Sequence, residues 1–290
     1  MLPGAKRVRE GIDPEWLNRA AERDPVLHAY ALWDLTCAPE STRFVSFGGD
    51  GPGRSYLLIW QGDPEAPVVH WVGDDPEDLP LLASIPPEVS IAVVPERAVE
   101  GVRGRFPVAN SEPLLIMARP PAAPPPPGER PPAVRLTPAH SDALARFAER
   151  YPEMLTRPYR TLDLESEYAW GSFEGGELLG VARATVRLPR VWIVSGVFVA
   201  PTARGRGHGW ALAGTAASAA HATGAAAGLF VRERNPVAVR LYGRMGFRPV
   251  ARRVLFGSNS EKDKPAFISR RPGILSLRLY IMYWAWQSER

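Results

Sequence analysis

The sequence predicts a protein of two α+β domains, and three observations lead to this fold class. The chain has 290 residues, of which 45% are hydrophobic, so it is long enough to bury two cores of ordinary size. Helical and strand-like patterns alternate on both sides of residues 119–132. That segment holds eight prolines in fourteen residues, which favours an extended linker and excludes regular helix.

With this segment as a linker at 119–132, the chain is divided into an N-terminal domain at residues 1–118, a C-terminal domain at 133–256 and a tail at 257–290. The linker could instead be a proline-rich ligand for a partner module. The tail ends in the apolar run Leu279–Trp286, which is too short to span a bilayer. This run is interpreted either as a docking strand or as sequence foreign to the natural domain.

The N-terminal domain begins with a helical pattern at Asp24–Leu35. Strands are predicted at Arg43–Phe47, Ser55–Gln61, Val68–Val72, Val89–Val94 and Pro113–Arg119. A helix is predicted at Asp75–Ser84, between the third and fourth strands. This half contains no glycine-rich phosphate turn.

The C-terminal domain shows a similar alternation. Strands are predicted at Val134–Leu136, Trp170–Glu174, Glu177–Leu188, Val191–Ala200, Gly228–Val231 and Arg248–Phe256. The predicted helices are Ser141–Glu149, an alanine-rich helix that ends near Thr223–Gly224, and a helix that Asn235 and Pro236 begin and Gly246 ends.

Composition and charge exclude several classes of protein. Of the 35 basic residues, 32 are arginine, and the formal net charge is only +4, with arginines scattered among acids. Such a surface does not require nucleic acid, and the arginine-rich composition is typical of a GC-rich bacterial genome. No apolar run is long enough for a membrane span, so we expect a cytoplasmic protein. The single Cys37 excludes an intramolecular disulfide and any multi-cysteine metal site, and no metal is predicted.

One turn has the residues of an anion site. Arg204–Gly209 reads Arg-Gly-Arg-Gly-His-Gly between a predicted strand and the alanine-rich helix. Glycines at 205, 207 and 209 let the backbone approach a ligand, and the free N–H groups at a helix start favour an anion. Arg204 and Arg206 add positive charge. A diphosphate would satisfy several of these donors, whereas the dinucleotide-binding and P-loop motifs do not fit the glycine spacing.

A second element contains Tyr242, which lies about 33 residues after this turn. The helix within Asn235–Phe247 places Ala238, Leu241, Tyr242 and Met245 on one face. Tyr242 is therefore expected at the border of a core face, one strand-helix unit beyond the turn. Taken by itself, this tyrosine could simply pack with a solvated hydroxyl.

Together the two segments resemble the GNAT acetyltransferase superfamily, over about 120 residues from Val134 to Phe256. Arg204–Gly209 is similar to its cofactor turn, and Asn235–Phe247 to its Asn-Ala-Leu-Tyr-Gly-Phe helix. The resemblance implies direct transfer of an acetyl group from acetyl-CoA to a primary amine in a ternary complex. It also implies site roles, as follows. Backbone groups of Val197, Phe198 and Val199 pair with pantetheine; Arg204, Gly205, Arg206, Gly207, His208 and Gly209 bind diphosphate; Asn235 contacts pantetheine or caps its helix; Tyr242 protonates the departing thiolate.

The general base is not identified. Many family members carry a Glu on the strand before the cofactor turn, but Val191–Val197 holds no acid. Asp163, Glu165 and Glu167 border the expected acceptor pocket, although three acids in such a stretch are usually just solvated. His208 lies within the turn and is poorly placed to meet the amine. A water chain, or an amine that arrives neutral, would remove the need for a base.

The resemblance also leaves alternatives open. The N-terminal half is interpreted as a degenerate GNAT-like domain that shapes the acceptor pocket or supports the catalytic half, or else as an unrelated α+β module. The expected partner is a small-molecule or peptide amine, with no nucleic acid and no membrane, and a homodimer is left open. The alternative function is a non-catalytic acyl-CoA sensor, which the missing strand Glu favours and Tyr242 argues against.

Overall fold

The computed structural model describes residues 6–48, 55–62, 67–106, 108–121, 131–151, 164–165 and 167–258. The chain forms two compact units. The first contains the described residues up to Leu115 together with those from Ala251 on, and the second contains Ile116–Val250. Most of the predicted linker, at residues 122–130, and the predicted tail beyond residue 258 lie outside the described residues.

The first unit is a mixed sheet covered by helices. Its strands are β1 (Arg7–Glu10), β2 (Thr42–Gly48), β3 (Ser55–Trp60), β4 (Val68–Val72), β5 (Ile91–Val94) and the first part of β6 (Val108–Arg119). Its helices are α1 (Pro14–Arg23), α2 (Ala29–Cys37) and α3 (Val99–Arg105). The sheet order is β1-β2-β3-β4-β5, and β5 pairs antiparallel with the C-terminal strand β12 (Arg248–Ser258).

The second unit has the same plan. Its elements are β7 (Ala133–Arg135), α4 (Ser141–Arg150), β8 (Tyr168–Glu174), β9 (Glu177–Leu188), β10 (Val191–Val199), α5 (His208–Ala222), β11 (Ala226–Arg232) and α6 (Pro236–Arg244). The sheet order is β7-β8-β9-β10-β11, and β6 follows β11 as the sixth strand.

Strand pairing shows that the two units repeat one topology. In the first, β3 and β4 pair antiparallel and β4 and β5 pair parallel; in the second, β9 and β10 pair antiparallel and β10 and β11 parallel. Parallel neighbours need a crossover segment. This crossover is the 15-residue helix α5 in the second unit, whereas the first unit has a six-residue 3-10 segment at Leu79–Ser84.

The sheet of the second unit is covered on both faces. Leu179 and Val181 of β9 share a buried cluster with Leu144 and Phe147 of α4. Gly180, between them in sequence, faces the other way: a Cβ added there would lie 2.9 Å from Cδ1 of Leu212 in α5. The helices α4 and α5 therefore pack on opposite faces.

The predicted elements are present, with four differences. The predicted helix at Asp75–Ser84 is a 3-10 segment that begins only at Leu79, consistent with the prolines at 76 and 80. The helix predicted from Asp24 begins at Ala29. The N-terminal helix α1, which Asp13 caps by accepting from the Glu15 amide, and the short helix α3 were missed. Edge strand β1 was missed too, because its largely exposed residues give no apolar alternation.

Among the residues that the structure describes, no helix combines the length and the apolar character that a membrane crossing requires.

Candidate active site

A bulge interrupts β10 just before the predicted anion site. The register with β9 passes from Ser195 opposite Arg183 to Phe198 opposite Val181, so that two residues of β10 face Ala182 alone. One of the two, Gly196, has a φ of 59°, which a glycine adopts easily. Pairing of β10 with β11 covers Val191–Ile193, ahead of the bulge. A bulge bends its strand, so the last residues of β10 are set apart from this pairing.

The three predicted pantetheine residues lie in this last part of β10. Phe198 is buried and its ring meets those of Phe147 and Tyr151, at centroid distances of 5.9 and 5.7 Å. Val197 and Val199 are half-buried. The carbonyl oxygen of Val199 accepts a hydrogen bond from Nε of Arg204 at 3.3 Å. The Phe198 side chain therefore anchors the strand in the core, and any contact to a ligand falls to backbone groups.

The predicted diphosphate turn is an exposed, glycine-shaped entry to α5. Gly205 and Gly207 have φ values of 78° and 92°, in the region that glycine tolerates best. A Cβ added at Gly205 would meet no atom within 4 Å. Gly207 is the N-cap residue of α5, and no side chain caps this helix start. The first backbone N–H groups of a 15-residue helix thus lack a side-chain acceptor, as an anion site requires.

Both arginines of the turn are exposed and already oriented. Arg204 is held by the Val199 carbonyl. Arg206 donates to Oε2 of Glu174 at 2.5 Å, in an ion pair whose side chains are 47% and 56% exposed. An exposed ion pair of this kind is weak, so phosphate oxygens can compete for the Arg206 guanidinium.

His208, by contrast, turns away from the exposed side of the turn. Its residue is 2% exposed, and Nδ1 lies 2.8 Å from Oγ of Ser172 on β8. Burial lowers the pKa of the imidazole, and Arg206 lowers it further, while Glu174 opposes the shift. Sequence reasoning missed both Ser172 and Glu174, because nothing in the sequence pairs β8 with a turn thirty residues later.

The second motif forms α6 as predicted. Asn235 caps the helix, with Oδ1 accepting from the Ala238 amide at 3.0 Å. Tyr242 is 8% exposed and its ring packs on Phe247 at a centroid distance of 5.8 Å. Burial raises the pKa of Tyr242 to about 12. Among the described residues, no hydrogen bond holds its hydroxyl, which fits a group that serves a ligand.

Turn, strand end and α6 meet at one place. A Cβ added at Gly209 would lie 3.6 Å from Cδ2 of Leu241 and 3.6 Å from Cγ2 of Val199. Leu241 precedes Tyr242 in α6. The two motifs of the sequence are therefore neighbours in space.

The acids considered as general bases lie in the chain before β8 and do not belong to β10. Glu165 is exposed. Glu167 is half-buried, and its Oε2 lies 3.8 Å from NH1 of the buried Arg183 on β9. Asp163 lies outside the described residues. The position on β10 nearest to the bulge carries Ser195 instead of an acid.

Residues 138–247 match the family model described as the acetyltransferase (GNAT) family. This segment contains α4, the bulged strand, the glycine-rich turn and α6, which are the elements just described. Over residues 138–247 the chain is therefore similar to the GNAT acetyltransferase family. That family uses acetyl-CoA as the acyl donor, and the similarity supports acetyl transfer as the activity. None of the curated proteins matches the chain.

Solved structures extend the likeness to most of the chain. A Drosophila protein is 14% identical and superposes over 87% of this chain and 99% of its own, with a TM-score of 0.61. A GCN5-related N-acetyltransferase from Sphaerobacter thermophilus is 17% identical over 88% of this chain and 96% of its own, with a TM-score of 0.55. A GNAT-family acetyltransferase from Colwellia psychrerythraea is 16% identical over 87% and 99%, at 0.51. The N-terminal half is therefore GNAT-like in fold as well.

In the N-terminal half, the residues that follow β4 are acidic, whereas those that follow β10 in the second unit form the arginine-containing turn Arg204–Gly209. After β4, residues 73–78 read Gly-Asp-Asp-Pro-Glu-Asp. Asp78 is fully buried, accepts from Nε1 of Trp71 at 3.0 Å and forms an ion pair with Arg97. Asp74 contacts NH1 of Arg97 at 3.3 Å and NH1 of Arg253 at 3.2 Å. Arg97 and Arg253 thus pair with carboxylates of this unit.

Proposed function

We propose that this protein is an acetyl-CoA-dependent N-acetyltransferase that moves the acetyl group directly to a primary amine in a ternary complex. One observation carries the proposal: the glycine-rich turn at the start of α5 contacts the helix that bears Tyr242. This contact would bring a site for the donor's diphosphate and a buried proton donor to the same end of β10. Acetyl-CoA would supply an activated thioester carbonyl, and the chain would supply binding, polarisation and a proton.

Arg204–Gly209 would bind the diphosphate of the donor. The uncapped amides of α5 and the helix dipole favour negative charge there, and the open space at Gly205 lets the backbone approach. Arg206 would exchange Glu174 for phosphate oxygens, since guanidinium groups bind phosphate in a bidentate manner.

Backbone groups at the bulge would orient and polarise the thioester. Gly196 and Val197 interrupt the β9 register, which changes the direction of the peptide groups at this point of β10. An N–H group fixed toward the carbonyl oxygen stabilises the charge that develops on it during attack. Phe198 holds this segment in the core.

Tyr242 would assist the departing sulfur. Its hydroxyl is protonated at neutral pH, as that of an ordinary tyrosine is, and burial raises its pKa further, to about 12. A protonated phenol within reach of a thiolate donates a hydrogen bond and lowers the cost of its departure.

The proton of the amine would be lost before attack, because β10 carries no acid and the acids of residues 163–167 are solvated, paired or outside the described residues. Under this proposal kcat/KM rises with pH and follows the pKa of the acceptor amine itself. A bell-shaped profile with a lower pKa, the same for amines of different basicity, would instead indicate a general base in the protein.

A non-catalytic acyl-CoA sensor is the second candidate, and the absence of an acid on β10 favours it. Thiol release from acetyl-CoA over a panel of amines separates the two functions. Turnover that depends on the amine supports the enzyme, whereas binding without amine-dependent thiol release supports the sensor.

Calorimetric titration with acetyl-CoA tests the binding site itself. Arg206→Glu should weaken binding about five- to tenfold at low salt, with a smaller effect as ionic strength rises. The matched control is Arg146→Glu, the same change of charge on exposed α4 at the opposite face of the sheet. No affinity of the wild-type protein up to millimolar acetyl-CoA would reject the proposal, as would equal weakening by both variants.

The same titration gives a stoichiometry. Because the acidic turn of the N-terminal half pairs with Arg97 and Arg253, we expect one acetyl-CoA per chain. Two equivalent sites per chain would contradict this interpretation of the acidic turn.

A further inference from the structure

The side chain of His208 is buried within a turn whose neighbours are exposed. Arg204, Gly205 and Arg206 are exposed, whereas His208 is 2% exposed. Its Nδ1 lies 2.8 Å from Oγ of Ser172, and this hydroxyl is 3.2 Å from the carbonyl oxygen of Pro132. A chain of two hydrogen bonds thus joins the start of α5 to β8 and to the segment before β7.

The direction of these hydrogen bonds follows from the available protons. The Pro132 carbonyl can only accept, so the single Ser172 hydroxyl proton is donated to it. The Ser172 oxygen must then accept from the imidazole, which fixes the proton of His208 on Nδ1. Both bonds form only with this orientation, so the imidazole is held in one tautomer and one rotamer.

Burial, followed by the charge of Arg206, lowers the pKa of this imidazole. Arg206 lies two residues away in the turn, and Glu174, two residues after Ser172 on β8, pairs with that arginine. Burial and the Arg206 charge both oppose protonation of His208, and their sum outweighs the opposite influence of Glu174. His208 therefore donates to Ser172 without adding a charge to the turn.

We propose that His208 is the positioning residue of the diphosphate turn, and that its hydrogen bond to Ser172 holds the first amides of α5 in the geometry that binds the donor. This inference rests on the proposed function and goes beyond it, because it assigns a role to a side chain that does not itself face the ligand. The backbone of His208 belongs to the turn. Because its side chain is hydrogen-bonded to Ser172, the backbone dihedral angles of His208 are restricted, and so are the directions of the neighbouring N–H groups. Glycine allows many backbone conformations, so Gly205 and Gly207 do not by themselves restrict the turn to one of them. A hydrogen-bonded His208 next to them supplies this restriction.

Two substitutions at His208 separate hydrogen bonding from volume. In His208→Asn the amide NH₂ occupies the place of Nδ1 and can still donate to Ser172. In His208→Gln the amide reaches the place of Nε2, fills more of the volume and cannot make this bond. Ser172→Ala removes the acceptor with little change in size.

Binding of acetyl-CoA by calorimetry is the readout, with S-acetylpantetheine as the control probe because it has no diphosphate. We expect His208→Gln and Ser172→Ala to raise the dissociation constant for acetyl-CoA about five- to tenfold, and His208→Asn to recover most of the loss. The dissociation constant for S-acetylpantetheine, followed by ligand-observed NMR, should change less, so its ratio to that for acetyl-CoA falls. When His208→Gln and Ser172→Ala are combined in one double variant, the losses should not add.

Each outcome decides the question. If His208→Gln binds acetyl-CoA as well as His208→Asn, or if both probes weaken by the same factor, the positioning role is overturned while the proposed function stands. If the wild-type protein does not bind acetyl-CoA, the proposed function fails, and this inference with it. Circular dichroism melts identify any variant that fails to fold, and Ser172→Ala then decides, since it leaves the imidazole in place.

Discussion

Replacement of Tyr242 by Phe removes one oxygen from the proposed proton donor and leaves its packing intact. The ring remains against Phe247, so the change should cost little stability. The effect on catalysis depends on how far the proton moves. A phenol whose pKa is about 12 lies about 3.5 units above an ordinary thiol, and complete transfer to the thiolate would be uphill by ~5 kcal/mol.

Tyr242 therefore assists mainly through a hydrogen bond to the sulfur, with the proton transferred only late. A hydrogen bond to a charged group contributes about 1.5–3 kcal/mol, so Tyr242→Phe should lower kcat about 10- to 150-fold. The dissociation constant for acetyl-CoA should change little, because the interaction strengthens only as charge develops on the sulfur. The loss should also be constant between pH 7 and 9, since Tyr242 does not titrate there.

The assay is thiol release from acetyl-CoA at saturating donor, with the amine found to be active. Tyr151→Phe is the matched control, because Tyr151 also packs against the core of this domain and loses the same atom. A fall of more than about 1,000-fold in kcat would refute the argument that the hydroxyl acts by hydrogen bonding, and a loss equal to that of the control would refute any role. A loss that disappears near pH 9 would refute the high pKa.

Three further predictions concern the turn, the cap and the buried histidines. Gly207→Ala should lower the free energy of unfolding by about 1–2 kcal/mol and weaken acetyl-CoA binding, because φ at this residue is 92°. Gly214→Ala within α5 should instead raise the free energy of unfolding by about 0.5–1 kcal/mol. Urea unfolding compares the two variants. Asn235→Ala should cost about 1 kcal/mol in the same assay, and Asn235→Ser should restore most of it. Burial lowers the pKa of His28 to about 4 and that of His70 to about 3. The unfolded chain thus binds more protons in acid, so stability should hold above pH ~6.5 and fall by about 2 kcal/mol per histidine between pH 6.5 and 5. A flat profile in the double variant with Gln at both positions, against a falling one in wild type, would support this; equal slopes would contradict it.

Sequence reasoning succeeded where local chemistry decides the structure. Asn235 followed by Pro236 predicted the start of α6, and both the cap and the first helical residue are found there. The glycines of Arg204–Gly209 predicted a turn before the alanine-rich helix, and the structure has a turn there, in which Gly205 and Gly207 have positive φ. Runs of apolar residues placed β9 and β10 almost to the residue, and most positions of both strands are buried because helices cover both faces of this sheet.

It failed where the structure depends on residues distant in the chain. The partner of Arg206 is Glu174, and the partner of His208 is Ser172, more than thirty residues away on a strand that is not next to β10 in the sheet. The bulge at Gly196 has no marker in the sequence beyond the glycine itself. The 3-10 segment at Leu79–Ser84 was predicted as part of a longer helix for a local reason, because the prediction gave too little weight to the prolines at 76 and 80.

By itself, the sequence determined the local elements of this protein: most of its strands and helices, the cap of α6, and a glycine-rich turn at the start of α5. These follow from backbone preferences and hydrophobic periodicity, which act over a few residues. Only the tertiary structure decided that Gly209 lies against Leu241, that burial raises the pKa of Tyr242, and that His208 faces β8 rather than the open side of the turn. Burial, hydrogen-bond partners and pKa values depend on which strands become neighbours, and the order of strands in a sheet is set by packing across the whole unit.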